Sequence, residues 1–224
     1  MRKFLVALVI LVIVLVVIDR AGLFIAERAI STKVQSASHL SAKPGVSIEG
    51  FPFLTQVASG NYQQINVSIN AYDADGVQLQ DIKAQFTGVH ASLSLLLGQN
   101  SGDVTAAHAT GTAMLPFAEV QQRLPRGVTI SPDGSSDLTV AGTVAGVGVI
   151  KGTAQLGVSG SRITVTPDRF TVAGLTAPGY LVSRFGFAIP VSGLPLGLTV
   201  SSVHVTGDGL VVGATGQNVE FASG

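Results

Sequence analysis

The chain has 224 residues, 13 basic and 13 acidic side chains, and a charged fraction of only 12%. That length holds one domain, or at most two small ones, and can bury a sizeable core. The absence of any Lys/Arg run excludes capture of nucleic acid through its phosphates, and the absence of cysteine excludes disulfides, thiolate metal sites and a cysteine nucleophile.

The first segment is Met1-Arg2-Lys3, a short positive stretch, followed by fifteen apolar residues from Phe4 to Ile18. At ~1.5 Å per residue that run covers about 22 Å, short of a hydrocarbon core of roughly 30 Å. It reads as the apolar part of a signal peptide, or as a membrane anchor completed by Ala21-Gly22-Leu23-Phe24-Ile25-Ala26, with membrane contact through residues 4–26. Asp19 and Arg20 then lie near the outer interface, where Arg20 can snorkel. No small-x-small cleavage site follows directly, which favours an uncleaved anchor. Arg20, Arg28 and Lys33 outnumber Arg2 and Lys3, so the Lys/Arg balance does not decide orientation. The short positive stretch favours a signal-like anchor over 1–22 with an exported body over 23–224.

Leu23, Ala26, Ile30, Val34 and Ala37 recur at helical spacing among polar residues, so an amphipathic helix continues the anchor and packs on a sheet. Pro44-Gly45 ends it. Next comes Gly50-Phe51-Pro52-Phe53-Leu54-Thr55-Gln56, which uses two of only 10 phenylalanines in a chain with 3 tyrosines and no tryptophan. Such a group is either a core plug or the lip of an apolar site. Pro52 pushes Phe51 towards an extended backbone, so the rings are expected to diverge, Phe53 into the core and Phe51 at the lip.

The period then becomes two. Ile65, Val67 and Ile69 alternate with polar residues, the mark of a strand with one buried face. Asp73 to Gly76 is a turn, and Val77 to Phe86 returns with a phase shift near Gln80-Asp81 that predicts a bulge. Val89, Ala91, Leu93, Leu95 and Leu97 predict a third strand, and Val104 to Met114 a fourth. A short helix follows with Pro116 in its first turn and Phe117, Val120 and Leu124 on one side. Pro125 and Pro132-Asp133-Gly134 break the chain. Further strands are expected at 138–149, 151–159, 161–166, 169–173 and 196–205, the last paired with 210–214 across Thr206–Gly209. Gly142, Gly146, Gly148 and Gly152 interrupt strands and require a bend or a close approach. The fold class is α+β and β-dominated, with a long N-terminal helix on an antiparallel sheet.

Catalytic patterns are missing. His39, His90, His108 and His204 are scattered, and none has another histidine at metal-ligand spacing. Gly146-Val147-Gly148-Val149-Ile150-Lys151-Gly152 is no dinucleotide loop, because its third glycine is misplaced and a β-pattern follows. Asp73, Asp75 and Asp81 read as turn chemistry rather than a calcium site. The residues predict neither an enzyme nor a metal or organic cofactor.

The stretch from Pro44 to Gln56, the Gly60-Asn61-Tyr62 leading into the alternating strand, Gly76-Val77, Asp81-Ile82 and the segment LPLGLTVSSVHVTGDGLVVGATGQNV (194–219) resemble the LmeA-like phospholipid-binding family of actinobacterial cell-envelope proteins. The resemblance covers nearly all of the chain after the anchor. It implies a non-catalytic, exported, membrane-associated protein that binds phospholipid and supports envelope glycolipid maturation. It also implies a fold similar to tubular lipid-binding domains, a helix along a strongly curved sheet. On that basis a phospholipid or glycolipid is expected between the 23–40 helix and the sheet, with Phe51, Phe53 and Leu54 at the mouth and Ile65, Val67 and Ile69 along the wall. The alternative is a membrane-tethered envelope scaffold that contacts a glycosyltransferase or another envelope biosynthesis enzyme and binds no lipid.

Overall fold

A computed structural model describes residues 2–37, 40–74, 76–96, 104–122, 124, 126–133, 137–144, 147–160, 162–190, 194 and 197–221. The chain divides into two compact units, one of residues 1–70, 83–109 and 217–224, the other of 71–82 and 110–216.

In the first unit, helix α1 (Arg2–Ala37) runs unbroken through the apolar segment and the amphipathic one. Its residues are exposed from Arg2 to Ile18, and burial begins at Asp19, followed by Ala26, Ile30 and Ser31. The stripe arises from the helical repeat, which returns Asp19, Ala26 and Ile30 to one face. After the helix the Leu40 N–H donates to the Gln35 carbonyl, and strand β1 (Gly45–Glu49) begins at the expected Pro44-Gly45 break.

Strand β1 pairs antiparallel with β2 (Asn61–Ala74), placing Ile48 opposite Ile65 and Val46 opposite Val67. Helix α2 (Phe53–Ser59) connects them and closes on Gly60, whose φ of 69° is left-handed. Strand β3 (Val77–His90) carries the predicted phase shift: Asp81 has φ 47°, and the inward positions step from the partly buried Val77 and Leu79 to Ile82, Ala84 and the buried Phe86.

The expected third strand does not form. Val89 belongs to β3, Leu93–Leu96 is a short helix, α3, and Leu97 lies outside the described residues. Leucine favours helix and lacks the branched β-carbon that fits a pleat. The Ala91 N–H is also taken by the Gly60 carbonyl at 2.9 Å rather than by a ladder. Strand β4 (Val104–Pro116) follows as predicted.

The strands divide between two sheets where the sequence pattern suggested one. The first has the order β1-β2-β3-β4-β12-β11, with β11 (Thr199–Val205) and β12 (Gly209–Phe221) forming the predicted C-terminal hairpin. Helix α4 (Phe117–Gln121), capped by Pro116, interrupts the chain after β4. Beyond it β5 (Val128–Pro132), β6 (Leu138–Val144), β7 (Gly148–Ser159), β8 (Arg162–Val172), the two-residue β9 (Leu175–Thr176) and β10 (Phe187–Pro190) pair among themselves. Their order is β10-β8-β7-β6-β5, antiparallel, with β9 against β8. Neither sheet closes into a barrel.

The second unit has its own core, including Val120, Leu138, Val140, Ile150, Phe170, Phe185 and Leu210. Its strand glycines serve a close approach. A β-carbon at Gly142 would meet the Phe185 ring, and one at Gly152 would meet Phe170; the two rings stack 5.1 Å apart. Gly146 lies outside the described residues. Strand β8 continues through Pro167, where two strands had been expected. Strand β10 pairs only with Arg162–Val165 and β9 only with Thr171–Val172, so the proline stands on an open stretch of edge. Strands β5 and β10 and helix α5 (Gly179–Val182) were not expected, because each is short and flanked by proline.

Candidate functional site

The Phe-Pro-Phe stretch is organised by contacts that hold it against α1. Gly50 has φ 107°, and a β-carbon there would come within 2.8 Å of the Gln56 amide nitrogen. The Phe51–Pro52 peptide is cis. Phe53 is 2% exposed and lies beside Gly22 of α1, where a β-carbon would make ordinary contact with its ring and with Leu54. Phe51 is 59% exposed, and the Arg20 guanidinium stands 5.0 Å from its ring centre.

Helix α1 reaches this stretch with buried polar groups. The Asp19 carboxylate accepts the Leu54 N–H at 2.8 Å and pairs with Arg20 at 3.0 Å. One helical face further on, Glu27 accepts the Ile48 N–H at 2.8 Å and the Ser31 hydroxyl donates to the Pro44 carbonyl at 2.6 Å. Gln56, also buried, donates to the Glu49 carbonyl at 3.2 Å and accepts the Gln63 N–H at 2.9 Å, clamping the end of β1 to the start of β2. A buried amide that satisfies two backbone groups is well suited to this corner, because either group left unpaired would cost about 1–3 kcal/mol.

The six residues expected at the lipid site differ in exposure. Phe51 and Leu54 are exposed, whereas Phe53 and Ile65 are buried. Val67 and Ile69 are half-buried further along β2. Asp19, Gly22 and Gln56, which meet or belong to this stretch, were not singled out as site residues. A lone acid at the end of an apolar run was the available signal for Asp19, and it was read only as a mark of the membrane interface. Tyr62, 1% exposed, was missed as well. Its hydroxyl has no hydrogen-bond partner among the described residues, and burial pushes its phenol above the usual tyrosine range.

Residues 17–215 match the family model for LmeA-like phospholipid-binding proteins. The chain belongs to the LmeA-like phospholipid-binding family. The family match begins at Val17, two residues before burial sets in along α1, so the docked part of the helix falls within the family's body. The fifteen-residue apolar run lies almost wholly outside it. No curated protein and no solved structure matches this member of the family.

Other features of this LmeA-like chain offer less. His90, His108 and His204 are exposed on three different strands, and His39 lies outside the described residues. Among the described residues no group of three His, Asp or Glu side chains stands close enough to hold a metal ion. Asp73 accepts the Gly76 N–H and the Gln78 amide, both at 2.6 Å, as a turn residue does; Asp75 lies outside the described residues. A shallow cleft of about 560 Å³ in the second unit is lined by Asp133, Asp137, Lys151, Arg169 and threonines. Such a lining would leave an acyl chain among charges and hydroxyls, so the cleft is ill suited to lipid tails.

Proposed function

We propose that this protein is a non-catalytic phospholipid-binding protein, held by α1 in the cytoplasmic membrane with its body on the outer face, and that it supports the maturation of envelope lipid or lipomannan-type glycolipid. The observation that carries the reading is the family match over residues 17–215. A helix long and apolar enough to cross a membrane supports the tether. Residues 23–224 act as one lipid-binding body in this proposal. An acyl chain enters past Phe51 and Leu54 and lies along Val67 and Ile69, with Phe53 and Ile65 as the packed floor beneath it. Each buried methylene contributes about 0.8 kcal/mol, so ten carbons supply roughly 8 kcal/mol before ordering costs.

Native mass spectrometry of the full chain, released gently from membranes, tests the reading. Adducts of phospholipid mass that exchange with added lipid are expected. A chain free of lipid after gentle extraction, and unable to take up fluorescent phospholipid from vesicles, would overturn it and leave the scaffold role.

A further inference from the structure

We propose that the Gly50–Thr55 loop is a membrane-contact surface, with Phe51 and Leu54 entering the lipid interface beside α1 and Arg20 meeting lipid phosphate there. The proposal rests on α1 being a retained membrane span, not on lipid uptake by the body. Fifteen apolar residues cover about 22 Å of a hydrocarbon core of roughly 30 Å. The shortfall of about 8 Å corresponds to roughly five more residues of helix, and α1 continues unbroken through that stretch.

The two sides of the helix differ over those residues and the next two. Away from the body, Phe24 and Ile25 are 60% and 67% exposed and extend the apolar surface. Towards the body, Asp19 is buried and Gly22 lies under Phe53 and Leu54. The surface offered to lipid at that depth therefore belongs to the loop, and its apolar side chains are Phe51 and Leu54, 59% and 42% exposed. The Leu54 N–H bond to Asp19 fixes the height of the loop along the helix.

Charge fits the same placement. A bare carboxylate would be costly at this depth, but Asp19 is covered, hydrogen-bonded and paired. Arg20 keeps 45% of its side chain exposed while standing over Phe51, a cation beside an inserted aromatic at the level of the phosphates.

The chain contains no tryptophan, so a single introduced indole reports its own position. The full chain carrying Phe51→Trp is reconstituted in phosphatidylcholine/phosphatidylglycerol vesicles whose acyl chains are brominated near the headgroup or near the tail. At least twofold stronger quenching by the headgroup-proximal bromines is expected. Val14→Trp, in the apolar run, should show the reverse order. Thr32→Trp, exposed on α1 about 20 Å beyond Asp19, should not be quenched. Leu54→Trp repeats the measurement at the second lip position. Quenching of Val14→Trp without quenching at 51 or 54 would overturn the proposal. An unquenched Val14→Trp would overturn the span and the proposal with it. Failure of the body to bind lipid would leave all these readouts unchanged, so the two proposals fail separately.

Discussion

Phe51 and Phe53 stand on either side of one proline and have opposite surroundings, solvent and a guanidinium for the first, the inside of the first unit for the second. Phe53→Ala should cost about 3–5 kcal/mol through lost burial and a cavity. Phe51→Ala should cost no more than about 1 kcal/mol, the size of an exposed cation–π contact. Denaturant unfolding of the two variants in detergent reads the difference directly, and equal losses would place both rings in the core. Tyr62 offers a second contrast, because its buried hydroxyl has no partner among the described residues. Tyr62→Phe should leave the melting temperature unchanged or raise it, since it removes a desolvated polar group without opening a cavity. The pH dependence follows from the raised phenol. Below pH about 10 the ring is neutral in both folded and unfolded chains. Above that the unfolded chain ionises first, so the stability held at lower pH is lost as pH rises towards the folded-state value. Tyr62→Phe should flatten that alkaline loss, and an unchanged alkaline slope would show that Tyr62 does not cause it.

Helices α2 and α4 solve one problem twice. Each starts after a proline cap with a phenylalanine, Phe53 and Phe117. Each also carries a glutamine whose amide bridges backbone groups: Gln56, in the middle of α2, joins Glu49 to Gln63, and Gln121, at the end of α4, accepts the Ile130 N–H while donating to the Val128 carbonyl. Proline starts the short helix without needing a donor, the phenylalanine buries, and the amide satisfies backbone groups where ladder pairing stops. Replacing either glutamine by alanine should cost about 1–3 kcal/mol per orphaned backbone group. The loss should be larger at Gln56, which is 6% exposed, than at the half-buried Gln121. Thermal denaturation of each variant compares them, and a larger loss at Gln121 would contradict the ranking by burial.

At the scale of the whole molecule, α1 is both a candidate membrane span and a structural helix of the first unit. Removal of the apolar run as a leader would leave the body intact only if the cut fell before Asp19, because Asp19 bonds α2 and Glu27 bonds β1. Retention of the apolar run as a membrane anchor is a separate expectation: the membrane-extracted protein should keep Phe4 to Ile18 by intact mass. A chain starting at residue 27 should lose the Leu54 cap and unfold at lower temperature. Asp19→Ala in the full chain should reproduce about 1–3 kcal/mol of that loss, with Asp19→Asn milder because an acceptor oxygen remains. Recovery of a stable native chain beginning near residue 27 would refute this account of the helix.

Local pattern by itself determined the continuous N-terminal helix, the alternating strand through Ile65 and Val67, the shift at Asp81, the C-terminal hairpin and the Pro116 helix. Each depends on periodicity or turn chemistry within about a dozen residues, which a single chain displays directly. The divergence of Phe51 and Phe53 was legible for the same reason, since it follows from the proline between them. Tertiary structure alone decided the partition into two sheets, the loss of a strand at Leu93–Leu96 and the pairing of Gly142 with Phe185 and of Gly152 with Phe170. It also decided the use of Asp19 as the cap of a helix 35 residues away. These depend on which segments meet in space, and a side chain's hydrogen-bond partner across such a separation leaves no local periodicity to read.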